Sequence, residues 1–278
     1  MYSFLRFPNF RKKAVTLSYD DGTIYDKKFM RICNSNGLKC TFNINSGHYG
    51  MGRKMSLEES IALYKNSGHE VAVHGENHLS LAEVPQASGV WDIIADRRSL
   101  EETYVCIVRG MAYGNGSYDD KAVETLKACG IVYARTTIAT GKFDIPTDWL
   151  RLPTTCTHSA SNLQELIDRF LEDTPTRFAH QVRPKLFYLW GHSYEFNDKN
   201  NWEIIENFGK QVGNRKDIWY ATNIEVYDYV KAFDSLIFSV DCKRVKNPTC
   251  LDVWICVHGK DVFVPAGAEI NIYENDNE

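Results

Sequence analysis

The chain has 278 residues, of which 44% are hydrophobic and 24% are charged, and its formal net charge is -4. This composition is typical of a globular chain with a substantial core, built as one large α/β domain or as two smaller ones. The charge gives no reason to expect nucleic acid or a membrane surface as a partner.

Membrane and disulfide signals are absent from the sequence. No apolar run is long enough to span a bilayer, and residues 1–13 lack a leader-like apolar stretch. A cytoplasmic enzyme is therefore the default expectation, although a chain whose leader had been removed would look the same. The eight cysteines are widely spaced, without a Cys-x-x-Cys pair, and most lie in apolar runs. They predict reduced core thiols, and neither a disulfide framework nor a zinc ribbon.

Strands and helices are predicted to alternate from residue 14 to residue 233. An apolar run at 14–17 leads into Asp20, Asp21 and Gly22, and a helical pattern follows at 24–36. Further strands are predicted at 39–44, 69–73, 105–108, 131–134 and 185–190. Further helices are predicted at 57–66, 90–104, 119–129, 163–171, 201–212 and 223–233. About seven strands interleaved with helices predict a parallel sheet that closes into a barrel.

The pattern changes near residue 234. The runs at 236–240, 251–257 and 261–264 are short and β-like, with turn signals between them and no helical spacing. We expect a barrel domain at residues 1–234 and a small antiparallel β appendage at residues 235–278, packed on the barrel.

Unusual polar groups follow the predicted strands: Asp20 and Asp21, His74 and His78, Arg109, and His192. In a barrel the carboxyl ends of the strands converge on one face, where chemistry takes place. Adjacent carboxylates call for a metal, an arginine or both. Two imidazoles and one carboxylate make an open zinc site. Taken alone, Asp-Asp-Gly is also typical of a solvated turn, and a histidine pair is often a surface or core feature.

Five motifs, in order, resemble those of the polysaccharide deacetylases (carbohydrate esterase family 4, the NodB-homology group). Tyr-Asp-Asp-Gly at 19–22 resembles the family's [ST]-[FY]-D-D-G signature, and residues 74–78 match its H-x-x-x-H. Residues 109–113, 144–149 and 189–192 resemble its arginine-proline-aromatic, aspartate-tryptophan and leucine-histidine motifs. The resemblance extends from residue 14 to about residue 233.

The resemblance implies a distorted (β/α)7-type barrel and one divalent ion, zinc in the usual case, with cobalt or another divalent ion as the alternative. Asp21, His74 and His78 would hold the ion. Asp20 would be the general base and His192 the general acid. Arg109 would keep Asp20 ionised, and the backbone N–H of Tyr113 would help to bind the oxyanion.

The sequence departs from the family pattern at two motifs. Ala112 replaces the proline, and the run from Arg109 to Tyr113 is one residue longer than the tightest form. The aspartate-tryptophan motif has one extra residue; its Asp148 is the candidate for orienting His192, and Asp144 a loop carboxylate. Trp149 is a candidate for sugar stacking or core packing. We interpret His158 as structural or substrate-facing, not as a ligand.

The function expected from these residues is hydrolysis of an N-acetyl group on an amino-sugar saccharide that contains N-acetylglucosamine. An O-acetyl esterase or another amide hydrolase on the same fold is the first alternative. A catalytically silent sugar-binding barrel is the second. The polymer, its length and the oligomeric state are left open by the sequence.

Overall fold

A computed structural model describes residues 3–173 and 182–273. Its strands are β1 (Ser3–Arg6), β2 (Lys13–Asp20), β3 (Cys40–Ile44), β4 (Glu70–Val73), β5 (Gly110–Ala112), β6 (Tyr133–Ala139), β7 (Leu152–Thr154), β8 (Cys156–Thr157), β9 (Lys185–Gly191), β10 (Ile218–Tyr220), β11 (Ile237–Phe238), β12 (Arg244–Lys246), β13 (Val253–Val257), β14 (Lys260–Val264) and β15 (Glu269–Asn271). Its α-helices are α1 (Asp26–Ser35), α2 (Leu57–Tyr64), α3 (Gln86–Tyr104), α4 (Asp120–Ala128), α5 (Leu163–Leu171), α6 (Ser193–Asp198), α7 (Glu203–Val212) and α8 (Asn223–Asp234).

The central sheet is parallel and curls into a barrel. Its strand order is β7-β6-β5-β4-β3-β2-β9-β8, and β10 pairs with the start of β2 from outside this path. β7 and β8 are two halves of one extended segment interrupted at Thr155, whose N–H donates to Tyr188 O at 2.9 Å. Because one half pairs with β6 and the other with β9, the segment closes the ring. The ring therefore has seven members, which confirms the predicted (β/α)7-type barrel.

β2 is the core strand around which this arrangement is built. All eight of its residues are buried, from Lys13 to Asp20. A strand buried on both faces reads as a nearly continuous apolar run, which is why the sequence signal at 14–17 is strong. β2 pairs with β3 on one side and with β9 on the other. These pairings bring the end of β2 to the same barrel mouth as the ends of β3, β4 and β9.

Several helices begin at side-chain caps. Ser56 and Glu59 form a capping box at the start of α2, and Thr222 and Glu225 form another at the start of α8. Asp119 caps α4 by accepting from the N–H of Ala122 at 2.7 Å. Each cap satisfies backbone donors that the first helical turn leaves without partners. None of the helices among the described residues is both long and apolar enough to cross a membrane.

The predicted antiparallel β appendage is present as two small sheets. One has the order β1-β13-β14 and the other β11-β12-β15. The first strand of the chain therefore pairs with the C-terminal region, with Leu5 opposite Ile255. The division into residues 1–234 and 235–278 stays a prediction, and β1 crosses it; residues 1, 2, 174–181 and 274–278 lie outside the described residues.

One predicted strand is wrong. Residues 105–108 do not form a strand: Val105 ends α3 in a left-handed conformation and is 75% exposed, and Ile107 is 79% exposed. The strand at this place in the chain is β5, which begins at Gly110, two residues after the end of the predicted one. The eight thiols are free, and five of them are buried, as the sequence predicts.

Candidate active site

The two adjacent aspartates leave β2 in different directions. Asp20 is the last residue of the strand and is 2% exposed. Asp21 has a φ of 87°, and its N–H donates to Asn43 O at 2.9 Å. Gly22 follows with a φ of 62° and turns the chain toward α1. Since glycine adopts this region without steric cost, the Asp-Asp-Gly turn can place one carboxylate inside the barrel and the next at its mouth.

Asp20 is bound by a guanidinium. Both of its carboxylate oxygens accept from Arg135 Nη2, and Oδ1 also accepts from Asn43 Nδ2 at 2.8 Å. Burial by itself would raise the pKa of Asp20, but Arg135, together with His74 and His192, holds that pKa well below its usual range. The Arg135 guanidinium also stacks on Trp190, 4.4 Å from the ring centroid.

Arg109 does not contact Asp20, and this corrects the pairing expected from the sequence. It precedes β5, at the end of the strand opposite to the barrel mouth. Its Nη2 donates to Asp228 Oδ2 at 2.6 Å, and both side chains are about one-third exposed, at 35% and 37%. One residue further along the chain, a side chain on Gly110 would collide with the ring of Tyr133. The guanidinium beside Asp20 therefore comes from β6 and not from the start of β5.

Asp21, His74 and His78 come together at the barrel mouth. Each offers one ligand atom, and these atoms lie within 4.8 Å of one another. His74 Nε2 is 3.2 Å from His78 Nε2 and 3.9 Å from Asp21 Oδ1. Ligand atoms around a tetrahedral zinc, with Zn–N bonds of about 2.0–2.1 Å, are about 3.3 Å apart. The donor set and its spacing fit a divalent ion.

The ring of His74 is oriented by the strand next to it. Its Nδ1 donates to the backbone oxygen of Ala112 at 2.9 Å, which leaves the Nε2 lone pair directed at the mouth. Burial lowers the pKa of His74 to about 4, so the imidazole is neutral, as a metal ligand must be. Asp21 has a cationic neighbour, since Lys54 Nζ lies 2.9 Å from its Oδ1.

His192 faces Asp20 across the mouth. Its Nε2 is 3.8 Å from Asp20 Oδ2, and its Nδ1 contacts Glu195 Oε1 at 2.8 Å. Burial alone would lower the pKa of His192, but the hydrogen bond to Glu195 and the charge of Asp20 raise it. The same contact lowers the pKa of Glu195 to about 2. His192 is thus biased toward the protonated form, and its ring is oriented by the Glu195 carboxylate of the helix that follows it.

Comparison with known families agrees with this geometry. The family model for polysaccharide deacetylase matches residues 8–134, which include Asp20, Asp21, His74 and His78. The matched region is a little less than half of this chain, and it is similar to the polysaccharide deacetylases. A curated "Probable peptidoglycan-N-acetylglucosamine deacetylase" of Arthroderma benhamiae is 29% identical over 101 residues, which are 36% of this chain and 22% of that protein. The match therefore spans less than a quarter of that relative's length.

Solved structures share the fold of this chain. A protein of Mycobacterium smegmatis assigned to the polysaccharide deacetylases has a TM-score of 0.59 at 16% identity, over 83% of this chain and 94% of that one. A family 4 carbohydrate esterase of Streptomyces lividans has a TM-score of 0.51 at 13% identity, over 76% and 93%. A CE4 family pseudoenzyme of Bacillus anthracis has a TM-score of 0.50 at 15% identity, over 80% and 67%. Such identities establish the fold alone.

Three other residues expected in the site, Asp148, Trp149 and Tyr113, make contacts of a different kind. Asp148 caps a short 3-10 helix and pairs with Arg151 at 3.0 Å, so it does not orient His192. Trp149 packs edge-on against Tyr227, with ring centroids 5.1 Å apart, in the core between the barrel and α8. The N–H of Tyr113 donates to Arg135 O at 3.1 Å and is thereby held in the sheet. These contacts correct the roles expected of Asp148 and Tyr113, and for Trp149 they agree with core packing, one of its two expected alternatives.

His158 lies behind His192, buried at 2% exposure. Its ring stacks on Tyr19, its Nδ1 is 3.3 Å from the Tyr19 hydroxyl, and its Nε2 is 3.7 Å from Glu195 Oε2. Burial lowers the pKa of His158 to about 4. It is a packed, neutral side chain behind Glu195, which agrees with a structural interpretation and with its exclusion from the ligand set.

Sequence reasoning missed two residues of this candidate site, Arg135 and Glu195. The other candidates were chosen as polar residues that follow a predicted strand. Arg135 fits the same criterion, because it directly follows the predicted strand at 131–134. Glu195 stands three residues after His192, a helical spacing, but α6 is only six residues long and gives no periodic signal.

Proposed function

We propose that this protein is a metal-dependent hydrolase that removes N-acetyl groups from an amino-sugar saccharide. The observation that carries the proposal is that two sets of side chains, a possible ligand set and a possible acid–base pair, meet at one barrel mouth. The Asp21, His74 and His78 donors lie together, and beside them Asp20 faces the His192 ring at 3.8 Å. The similarity to a curated N-acetylglucosamine deacetylase supports the choice of substrate class.

Asp21, His74 and His78 would hold the ion, and zinc suits one carboxylate with two neutral imidazoles. When bound, such an ion polarises a carbonyl oxygen and lowers the pKa of water, which is the chemistry that amide hydrolysis requires. Three protein ligands leave a coordination position open, as in catalytic zinc sites.

Asp20 is the general base in this proposal. Its pairing with Arg135 keeps it ionised over the whole working pH range, so it is always ready to accept a proton from the attacking water. Asn43 fixes one of its oxygens, which leaves the carboxylate little freedom to rotate. The base is therefore pre-positioned, at the cost of a low intrinsic basicity.

His192 is the general acid. Its raised pKa keeps a proton available near neutral pH, and Glu195 holds Nδ1 so that Nε2 is directed into the mouth. There Nε2 can deliver its proton to the leaving amine nitrogen as the carbon–nitrogen bond breaks. The proton removed by Asp20 and the proton given by His192 balance the hydrolysis to acetate and a free amine.

A silent sugar-binding barrel is the second candidate, and one contact favours it. Lys54 Nζ sits 2.9 Å from Asp21 Oδ1 and can neutralise that carboxylate without any metal. In such a protein, saccharides would bind without turnover. Lys54→Met would leave the Asp21 carboxylate without its partner and would destabilise the barrel mouth. In the hydrolase, Lys54→Met should keep metal binding or strengthen it, because a competing cation is removed.

The deciding experiment measures acetate release from N-acetylglucosamine oligomers and from acetylated xylan, before and after chelation. We expect turnover on the amino sugar, loss of turnover after chelation, and recovery with Zn²⁺ or Co²⁺. Asp21→Ala should lose both metal and turnover. Asp20→Asn should keep the metal and lose a factor of about 10² or more in rate. Full activity of the metal-free protein would overturn the proposal, and turnover of acetylated xylan alone would identify an O-acetyl esterase.

A further inference from the structure

The loop that carries both histidine ligands has no regular structure of its own. β4 ends at Val73, and the next five residues lie outside any helix or strand. Gly75 and His78 both have positive φ angles, 83° and 56°. The bond within the loop, from His78 N–H to Gly75 O, is long at 3.5 Å. Since a non-glycine residue with positive φ is unfavourable, other groups must hold this conformation.

Two buried aspartates of α3 supply those groups. Asp96 is fully buried and accepts two backbone N–H groups, that of His74 at Oδ2 (3.0 Å) and that of Ser46 at Oδ1 (2.7 Å). It thereby joins the end of β4, which carries the first ligand, to the segment that follows β3. Both of its oxygens are used as acceptors.

Asp92 stands one helical turn earlier and holds the middle of the loop. Its Oδ1 accepts from Asn77 N–H at 2.8 Å and from Asn77 Nδ2 at 3.0 Å. Its Oδ2 lies against the backbone of Gly75 so closely that a Cβ on that residue would collide with it. This Oδ2 is buried and has no hydrogen-bond partner among the described residues.

We propose that Asp92 and Asp96 are positioning residues that set the geometry of the metal-ligand loop. The inference rests on the proposed function, in which His74 and His78 bind the ion. Partners outside the ligand shell fix the direction of the ligands, and losing one commonly costs about 10- to 100-fold in metal affinity. Here the partners act on the backbone of the loop, so they set the separation of the two imidazoles as well as their direction.

A purely structural role predicts a different pattern of variants. If the two aspartates only anchor α3, every substitution lowers stability and leaves the affinity of the folded protein unchanged. If they position the ligands, asparagine should act differently at the two sites. At residue 96 both carboxylate oxygens accept an N–H, so the NH2 of an asparagine would place a donor against one of these donors. At residue 92 the amide oxygen can take the place of Oδ1 and preserve both bonds.

The experiment titrates the metal-free protein with Zn²⁺ and Co²⁺ in competition with a chromophoric chelator, and records the visible spectrum of the Co²⁺ form. We expect Asp96→Asn and Asp92→Ala to weaken binding about 10- to 100-fold and to alter the Co²⁺ spectrum, and Asp92→Asn to stay close to wild type. Glu102→Gln is the matched control, an exposed acid of α3 paired with Arg98, and should change neither readout.

Each outcome bears on one of the two proposals. Folded Asp96→Asn and Asp92→Ala proteins with wild-type affinity and spectrum would overturn the positioning role and leave the hydrolase intact. If Asp96→Asn does not fold, the comparison of Asp92→Ala with Asp92→Asn decides in the same way. A wild-type protein that binds neither ion would overturn the proposed function itself.

Discussion

The guanidinium beside Asp20 illustrates what a single residue contributes at this site. Arg135 and Asp20 are almost fully buried, with side chains 1% and 3% exposed. Taking one partner away from a buried ion pair leaves an uncompensated charge, which costs about 3–5 kcal/mol. Arg109 makes an ion pair of the kind that is worth at most about 1 kcal/mol, because water screens it.

The two arginines therefore give opposite predictions. Arg135→Met should lower the free energy of unfolding by about 3–5 kcal/mol and reduce the rate about 10²-fold or more, because Asp20 is no longer held ionised and in place. Arg109→Met, the matched control, should change either quantity little. Urea denaturation and kcat/KM on the same preparations measure both effects. A loss of activity in Arg109→Met with a near-normal Arg135→Met would restore the pairing expected from the sequence.

At the scale of elements, the short helix α6 brings His192, the proposed general acid, and its partner Glu195 together. It begins directly after His192, and its third residue is Glu195. His192 is the N-cap residue of α6 and Glu195 is its third residue, so the contact at 2.8 Å joins the two positions that also meet in a capping box. An element of six residues is too short to be read from hydrophobic periodicity, so Glu195 gives no such signal, whereas Asp148 is a candidate only through the resemblance to the aspartate-tryptophan motif.

This element predicts a change in pH dependence. The Glu195 carboxylate raises the pKa of His192, so removing its charge should lower that pKa. In Glu195→Gln, His192 then loses its proton at a lower pH, and the alkaline limb of the kcat profile moves to lower pH. Metal content should not change. The control Asp148→Asn should leave the limb in place. An unmoved limb in Glu195→Gln, or a shifted one in Asp148→Asn, would contradict the assignment.

The sequence predicted the barrel and the meeting of Asp21, His74 and His78 at its mouth, but not the supporting contacts, and the reason is the range of those contacts along the sequence. Asp21, His74 and His78 lie beside strands whose apolar runs are unmistakable, so their common face follows from topology. Arg135 reaches Asp20 across 115 residues of sequence, and only the closed barrel places them together. The apolar run at 105–108 misled the strand assignment because Val105 and Ile107 are exposed, and periodicity assumes that such residues are buried.

At the scale of the whole molecule, the first described strand joins two strands of the C-terminal region in one small sheet. β1 pairs with β13, and Tyr229 of α8 donates to the backbone oxygen of Arg6 at 2.6 Å. Only a short 3-10 helix, Pro8–Phe10, separates β1 from the core strand β2. The appendage is therefore coupled through β1 to β2, the core strand of the barrel. The candidate ligands, by contrast, all lie on barrel elements.

This arrangement predicts that the appendage supports stability and not chemistry. Ile255 of β13 is fully buried against β1 and β14, so Ile255→Ala should cost about 2–5 kcal/mol of unfolding free energy. The matched control is Ile237→Ala on β11, where the side chain is 57% exposed and the cost should stay within about 0.5 kcal/mol. Both folded variants should bind metal and release acetate at the wild-type rate. Urea denaturation, metal content and kcat/KM measured together test this. If Ile255→Ala stays folded but loses metal or turnover, the appendage holds the site in shape, and the division of roles between the two parts of the chain is wrong.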